Sequence, residues 1–441
     1  MAAAIAATAV TGTAAAGAAV RVAGAEHDAL IRTTRLDSGL RLVTERMPDV
    51  RSVALGFWVD AGSRDEDPAI SGASHFLEHL LFKGTDTRSA QQIAEDIDAC
   101  GGEMNAFTTK EYTAFYVRVL DDSLPLAVDI LSDIMWSPAF RPDEIEAERQ
   151  VILEEILMHE DEPSDLVHDV FTAALYPGHA LGREILGTED TIEAMSRDDI
   201  AGYFGSHYRP ESIVAAAAGN VDHDALASAI DARFAGTTGA GPIDRSGAFD
   251  APRPVAVDTR STEQAHVVVG ARAFDRDDPD RYALSAVNQV LGGGMSSRLF
   301  QEIREKRGLA YSVYSYRSAY QGTGALSVYA GTAPGRLREV LDIVDTELAK
   351  LRADGVTARE LDLAKGHLKG SLALGMEDSG ARMSRIGRSL LVHGEVPTLD
   401  DVVERIDAVT LDDTARVVDR VFGDGDRTLA VVGPFDEAAF A

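Results

Sequence analysis

The 441-residue sequence has little cysteine and a deficit of positive charge. Cys100 is the single cysteine, so an intramolecular disulfide and a thiolate zinc site are both excluded. Its 72 acidic and 42 basic residues give a formal charge of -30 at pH 7. Such a surface disfavours contact with nucleic-acid phosphates and with anionic lipid. We therefore expect neither a nucleic-acid partner nor a membrane partner.

Long apolar runs are also absent from the sequence. The first 25 residues are mostly Ala, Thr and Gly, without the charged start and Leu-rich centre of a secretory signal. They are too weakly hydrophobic to predict a membrane span. We predict a mobile Ala-rich tail over residues 1–30 and a cytoplasmic protein.

The most informative stretch is an H-x-x-E-H pattern formed by His75, Glu78 and His79. Residues three and four apart share a helix face, so both imidazoles can reach one zinc at about 2.0–2.1 Å. Glu78 lies on that face and can accept a proton from zinc-bound water, the general-base role of the inverted zincin signature. The alternative is a buried helix with two hydrogen-bonded histidines and a stray glutamate.

A catalytic zinc usually takes three protein ligands and one water, so a third donor is required. The helix predicted from Pro142 to about Met158 carries Glu148 and Glu155, two turns apart on one face beside an apolar stripe. A carboxylate beside that stripe needs a cation or a hydrogen-bond partner. We predict Glu155 as the third ligand and Glu148 as a support that orients a ligand or the water. An acidic helix face in water is the alternative.

The order of predicted strands and helices repeats along the chain. Residues 31–235 and 263–441 carry the two copies, and residues 236–262, rich in Gly, Pro, Thr and Ser, are predicted as a linker. We therefore predict an α+β fold of two homologous α/β lobes related by duplication, each with a mixed, mainly antiparallel sheet flanked by helices. A loose alignment of two unrelated α+β domains is the alternative.

The second copy lacks the metal-binding residues. Gly84 and Gly294 both follow the corresponding helix, which gives an offset of 210. With that offset, the zinc-motif positions are occupied by Ser285, Asn288 and Gln289. Only the first lobe is expected to bind zinc.

Together these features resemble the pitrilysin, insulysin and mitochondrial processing peptidase family of zinc metallopeptidases, most closely its processing-peptidase β-subunit type and bacterial relatives. The resemblance runs from about residue 34 to the C-terminus and is carried by residues 75–85, 101–108, 148–155 and 304–311. Glu155 follows His79 by 76 positions, close to the family's usual spacing. The resemblance implies a clam-like pair of lobes, one Zn²⁺ per chain, and a metalloendopeptidase that hydrolyses extended or unfolded peptides.

The resemblance also implies a role for Arg304 and Tyr311. They match a family pair, seven residues apart, that binds the scissile carbonyl and its oxyanion. In related two-subunit enzymes this pair comes from the opposing subunit. We therefore expect a homodimer that exchanges Arg304 and Tyr311 across its interface, or a heterodimer with a homologous chain. Without the resemblance, they would be an ordinary surface residue and an ordinary strand aromatic.

Substrate contacts are predicted on the strand that holds Asn105, Ala106 and Phe107, which could be a sheet edge where a peptide pairs beside the zinc. Phe82 could line a side-chain pocket or belong to the core. The histidines without ligand spacing are interpreted as surface or capping residues: His159, His168, His179, His207 and His223. Two other functions stay open, a catalytically silent scaffold subunit and a zinc hydrolase of non-peptide substrates.

Overall fold

A computed structural model of the chain describes residues 30–233, 243–423 and 427–440. Apart from residue 30, the predicted tail lies outside the described residues. The described residues form two mixed β-sheets, one in each half of the chain, with helices packed on their faces. None of the described helices is both long and apolar enough to cross a bilayer.

The first sheet has six described strands. Five come from residues 31–120, and the sixth comes from residues 213–219 and lies in the middle of the sheet. The strands are β1 (Ile31–Arg35), β2 (Arg41–Arg46), β3 (Ser52–Val59), β4 (Glu103–Thr108), β5 (Thr113–Leu120) and β6 (Ile213–Gly219). Their spatial order is β1-β2-β6-β3-β5-β4, and β2 with β6 is the parallel pair. The central strands β3 and β6 are almost continuously apolar because helices cover both faces of the sheet.

The second sheet repeats this topology with five described strands. They are β7 (Val255–Thr259), β8 (Ala265–Ala273), β9 (Ala310–Tyr320), β10 (Thr323–Thr332) and β11 (Thr428–Gly433). The order is β7-β11-β8-β10-β9, again with one parallel pair, β7 with β11. Each strand has a counterpart in the first sheet: β7 in β2, β11 in β6, β8 in β3, β10 in β5 and β9 in β4. The predicted two homologous lobes are confirmed.

The predicted linker, residues 236–262, extends too far. Val255–Thr259 is strand β7, which pairs in parallel with β11 at the far end of the chain. A strand whose partner lies more than 170 residues away leaves no local signal in the sequence. The Gly, Pro and Ser content of the preceding residues hid the start of the second sheet.

The helices follow the same duplicated order. In the first half they are α1 (Ala73–Leu81), α2 (Ala90–Ala99), α3 (Leu124–Trp136), α4 (Pro142–Glu160), α5 (Pro163–Leu175), α6 (Glu189–Ala194), α7 (Arg197–His207) and α8 (His223–Asp231). In the second half they are α9 (Arg281–Leu291), α10 (Leu337–Asp354), α11 (Ala358–Gly375), α12 (Ser379–His393), α13 (Leu399–Asp407) and α14 (Leu411–Phe422). A short π-helical turn, Phe300–Glu305, precedes β9.

The two lobes exchange one helix each. Helix α5 of the first half packs on the second sheet, where Val167 and Phe171 join the core around Val268. Helix α12 of the second half packs on the first sheet through Met383 and Ile386. Since each sheet needs the other half's helix to cover one face, the lobes are interlocked.

Gly387 permits the close approach of α12 to the first sheet. A Cβ at this position would lie 2.4 Å from Nε1 of Trp58 on β3. The exchanged helix therefore has a glycine where the largest buried side chain of the sheet meets it.

A buried ion network also joins the lobes. Arg64 Nη1 donates to Glu111 Oε1 at 2.5 Å, and Arg276 of the second half donates to Glu111 Oε2 at 2.8 Å. Arg245 forms a bidentate pair with Asp65, and both side chains are only 2% exposed. Every charge in this network has a partner, which is the condition for burying it.

Candidate active site

Helix α1 begins at a fixed point because of two residues before it. Gly72 has a φ of 95°, in the left-handed region that favours glycine, and a Cβ there would lie 2.6 Å from the Leu186 carbonyl oxygen. The buried carboxylate of Glu66 accepts the backbone N–H groups of Gly72 at 2.8 Å and Ser74 at 2.7 Å. These bonds satisfy donors that a helix N-terminus otherwise leaves free. The helix that carries the H-x-x-E-H pattern is thereby held in place.

The three predicted ligands converge. The Nε2 atoms of His75 and His79 each lie 3.6 Å from Oε2 of Glu155, which comes from helix α4. All three candidate ligand atoms lie within 4.8 Å of one another. Ligands about 2 Å from a tetrahedral zinc stand roughly 3.3 Å apart, so this donor set fits a zinc ion.

Burial sets the protonation state of His75, the first candidate ligand. It lowers the pKa of His75 to about 3, and the neighbouring His79 adds to the effect. His75 is therefore neutral at pH 7, as a metal-binding imidazole must be. Two nitrogens and one carboxylate, with a fourth position left over, form the donor set of a catalytic rather than a structural zinc site.

Glu148 contacts His79, the second candidate ligand, and its predicted role as a support for that ligand stays a prediction. Its Oε2 lies 3.0 Å from His79 Nδ1, and its Oε1 lies 2.7 Å from the ammonium of Lys83. The Glu148 side chain is only 6% exposed, so it needs both partners. A carboxylate on the far nitrogen of a metal-binding histidine fixes its tautomer and ring orientation.

Glu78 lies beside the ligands and is held from the other side. The hydroxyl of Thr108, at the end of β4, donates to Glu78 Oε2 at 2.6 Å. Burial raises the pKa of Glu78, and the bond from Thr108 opposes that rise. The Glu78 carboxylate therefore interacts with the candidate ligands His79 and Glu155 and with Thr108 on the edge strand β4.

Helix α4 is attached to α1 by a side chain outside the ligand set. The guanidinium of Arg149 lies over the Phe76 ring, 5.5 Å from its centroid. The same guanidinium donates to the Ile192 carbonyl and, at 3.0 Å, to that of Met195. Arg149 thus helps to place Glu148 and Glu155 opposite the histidines.

Arg304 and Tyr311 form a pair on the second lobe. The Arg304 guanidinium carbon lies 4.6 Å from the Tyr311 ring centroid and 4.8 Å from that of Phe300. Tyr311 is 80% exposed. Within the described parts of the chain, no hydrogen bond, ion pair or ring contact joins either side chain to the zinc ligands. The structure brings the two residues together but leaves them apart from the site.

The predicted substrate strand is an edge strand. Strand β4 ends the first sheet and pairs with β5, and its neighbour α1 carries Glu78. Asn105 is exposed, and its Oδ1 accepts the Ala106 N–H at 2.8 Å. The Phe107 ring packs on Trp58, on the α12 side of the sheet. The edge position is as predicted, and contact with substrate stays a prediction.

Phe82 follows α1 and is half-buried. Its ring centroid lies 6.0 Å from that of Phe115, and it packs against the first core. This arrangement supports the core alternative, while a pocket role stays a prediction.

Sequence reasoning missed three residues that the structure brings to this site, and it took a fourth, His159, for an ordinary histidine. Glu66 caps α1, Lys83 holds Glu148, and Thr108 holds Glu78. His159, interpreted as ordinary, lies 2.7 Å from Asp169 and 3.3 Å from Glu184. Lys83 alone among these three had a local signal, since it lies four residues after His79 and just past the end of α1.

Comparison with known proteins identifies the family. A profile described as Insulinase (Peptidase family M16) matches residues 41–189, and one described as Peptidase M16 inactive domain matches residues 194–368. The chain is 47% identical over 424 residues to an uncharacterized zinc protease of Streptomyces coelicolor, covering 92% of this chain and 90% of that protein. It is 40% identical over 405 residues to one of Bacillus subtilis, covering 92% and 98%.

Two solved structures share the fold. A protease from Helicobacter pylori has a TM-score of 0.84 at 23% identity, over 92% of this chain and 99% of that one. A peptidase M16 inactive domain from Pseudomonas fluorescens has a TM-score of 0.85 at 21% identity, over 92% and 98%.

The chain belongs to the M16 peptidase family. The predicted family is confirmed, and the relatives named above are zinc proteases by name. The description of the second profile as inactive agrees with the positions of the clusters that could hold a metal ion. Both groups found among the described residues lie in the first half.

Proposed function

We propose that this protein is a zinc-dependent endopeptidase that hydrolyses extended or unfolded peptides. One observation supports this above the others: His75, His79 and Glu155 converge from two helices, with Glu78 beside them. A purely structural site would have no use for a fourth residue, a carboxylate held separately from the three candidate ligands.

The residues of the chain divide the chemistry among them. His75, His79 and Glu155 would hold one zinc ion, and Glu148 would keep His79 in the correct tautomer. When bound, zinc supplies Lewis-acid polarisation of the scissile carbonyl and a lower pKa for the attacking water. Glu78 takes the proton from that water and passes it to the leaving amine.

The substrate is proposed to lie along the free edge of β4. Backbone pairing there would be tolerant of sequence, since main-chain hydrogen bonds supply the affinity. The Ala106 N–H is already engaged by Asn105 Oδ1, so the Asn105 amide would have to move aside for a peptide. Phe82 is the candidate side chain for lining a pocket, and Phe107 belongs to the strand along which the peptide would pair.

Replacement of the base tests the function. Glu78→Gln should keep one zinc per chain and lower kcat by roughly 100- to 10,000-fold, because it removes general-base catalysis. His75→Ala should lose zinc as well. Peptide cleavage with and without a chelator, alongside metal analysis, measures both. Wild-type cleavage by Glu78→Gln would contradict the mechanism. A wild-type chain that holds zinc yet cleaves nothing would favour the scaffold alternative.

We further propose that Arg304 and Tyr311 act on a neighbouring chain, in a homodimer or in a heterodimer with a homologous chain. Two observations support this proposal: Arg304 contacts the Tyr311 ring, and Tyr311 is 80% exposed. An exposed side chain can contact the active site of a second chain. We also keep the cytoplasmic location as a prediction.

Mixed dimers test assembly across an interface. Glu78→Gln and Tyr311→Phe chains should each be weakly active alone, and mixing them should restore part of the activity by forming one complete site. Size measurement and a subunit-exchange assay with labelled chains serve as controls. No recovery after demonstrated exchange would contradict this arrangement.

A further inference from the structure

We infer that Thr108 is a positioning residue for the catalytic base, and that it couples this base to the strand edge where a peptide would pair. The inference rests on the proposed function, because it assigns Thr108 a role through Glu78. It adds a residue that lies outside the H-x-x-E-H pattern and outside the ligand set.

The contact between the two residues is short and links two different elements. Thr108 Oγ1 donates to Glu78 Oε2 at 2.6 Å. Glu78 is on helix α1, and Thr108 is the last residue of strand β4, opposite Thr113 of β5. Hydrogen bonds to a carboxylate are shorter and about twice as strong as those between neutral groups.

A general base has to be held at a defined place to be effective. A glutamate side chain has several rotatable bonds, and fixing them has an entropic cost. Proton transfer requires the base within about 2.6–3.2 Å of the proton's heavy atom. A carboxylate offers about four acceptor positions, so the bond from Thr108 leaves others free for the attacking water.

The position of Thr108 in the sheet gives the contact a second consequence. Strand β4 is the edge of the first sheet and pairs with β5 on its inner side. A peptide added at the free side would restrict the β4 backbone, including the residue whose hydroxyl holds Glu78. Substrate pairing would therefore order the base as well as the scissile bond.

A merely structural role makes a different prediction. If the hydroxyl only satisfies a half-buried carboxylate, its loss should lower stability and leave turnover of the folded chain unchanged. Thr113 is a matched control, since its hydroxyl donates to the Ala61 carbonyl at 2.9 Å from the facing position of β5.

The experiment compares Thr108→Val, Thr108→Ala, Thr108→Ser and Thr113→Val in the full-length chain, each alone and with Glu78→Gln. We measure kcat and KM on an unstructured peptide that the wild type cleaves, zinc per chain, and Tm. Fluorescence anisotropy gives the Kd of the same labelled peptide for the forms that carry Glu78→Gln.

With Glu78 present, Thr108→Val and Thr108→Ala should lower kcat by roughly 10- to 100-fold, the range for one hydrogen bond to a charged group, with KM within about twofold. Thr108→Ser should restore most of the loss, and Thr113→Val should keep the wild-type kcat. With Glu78→Gln, the Thr108 changes should add less than twofold to the loss. Zinc content should stay unchanged throughout, and the peptide Kd should stay within about twofold.

Three results would overturn the inference alone, and the first two are wild-type kcat in Thr108→Val and Thr108→Ala, or equal kcat losses in these variants and Thr113→Val. A full additional loss beside Glu78→Gln would also do so, because Thr108 would then act independently of the base. Failure of the proposed function looks different, since either the wild type would cleave no peptide or Glu78→Gln would cleave normally.

Discussion

At the scale of single residues, the site combines a neutral imidazole with carboxylates that are each held by a partner. Burial keeps His75 uncharged, whereas Glu148 stays buried beside both Lys83 and His79. Glu155 differs from both, because its side chain is 43% exposed while its Oε2 lies 3.6 Å from Nε2 of each histidine. An exposed carboxylate next to two imidazoles is available to a cation, which is why Glu155 is the residue to test for metal binding.

Glu155→Gln should reduce zinc affinity by more than the roughly 10- to 100-fold typical of changes to residues that support a ligand. The reason is that it removes a ligand charge rather than an orienting bond. Competition with a zinc chelator measures the affinity. The neighbouring Glu154 is exposed and lies off the ligand face, so Glu154→Gln is the matched control and should bind as the wild type. Equal affinities for the two variants would remove Glu155 from the ligand set.

At the scale of elements, the position of α1 depends on a carboxylate that is not part of the chemistry. Glu66 caps the helix while only 4% exposed, and burial raises its pKa to about 7, against the bonds from Ser74 and Gly72. The unfolded value is near 4.5. Between these values the folded chain keeps a proton that the unfolded chain has lost, so the free energy of unfolding falls as pH rises.

Glu66→Gln removes this titration and should therefore change the pH dependence of stability. Relative to the wild type, the Tm of the variant should rise on going from pH 5 to pH 8, whatever its value at pH 5. Thermal unfolding at four or five pH values measures the difference. Parallel curves for Glu66→Gln and the wild type would contradict the assignment.

At the scale of the whole molecule, the exchange of α5 and α12 makes each lobe dependent on the other. The face of the first sheet that holds Trp58 and Val214 is covered by α12 from the second half. Removal of α12 would expose this apolar face, at a cost of roughly 25 cal/mol per Å² of apolar surface. Separation of the whole second half would also take Arg276 and Arg245 away from Glu111 in the buried network.

Separate halves should therefore be unstable alone. A chain of residues 1–240 is expected to bind a hydrophobic dye and to lack a cooperative unfolding transition, whereas co-expression with residues 241–441 should give a complex. Calorimetry and co-purification measure these two results. A lone first half that unfolds cooperatively near the wild-type Tm would show that the exchange is not needed for stability.

The sequence by itself determined the H-x-x-E-H pattern, the third candidate ligand, the duplicated α/β order and the absence of that pattern from the second copy. These could be predicted because helix periodicity places residues three, four and seven apart on one face, and because residue type decides metal affinity. The family resemblance supplied what spacing cannot, the pairing of Arg304 with Tyr311, and the structure places those two side chains in contact.

Only the tertiary structure decided how the elements meet. Strand β7 within the predicted linker, the exchange of α5 and α12, and the partners of Glu66 and Thr108 all depend on contacts between distant segments. No local pattern encodes such a contact, because a hydroxyl or carboxylate has the same sequence neighbours whether it faces water or a catalytic base. Residue types therefore indicated the chemistry proposed for the site. The positions of its side chains depend on tertiary contacts that the sequence does not show.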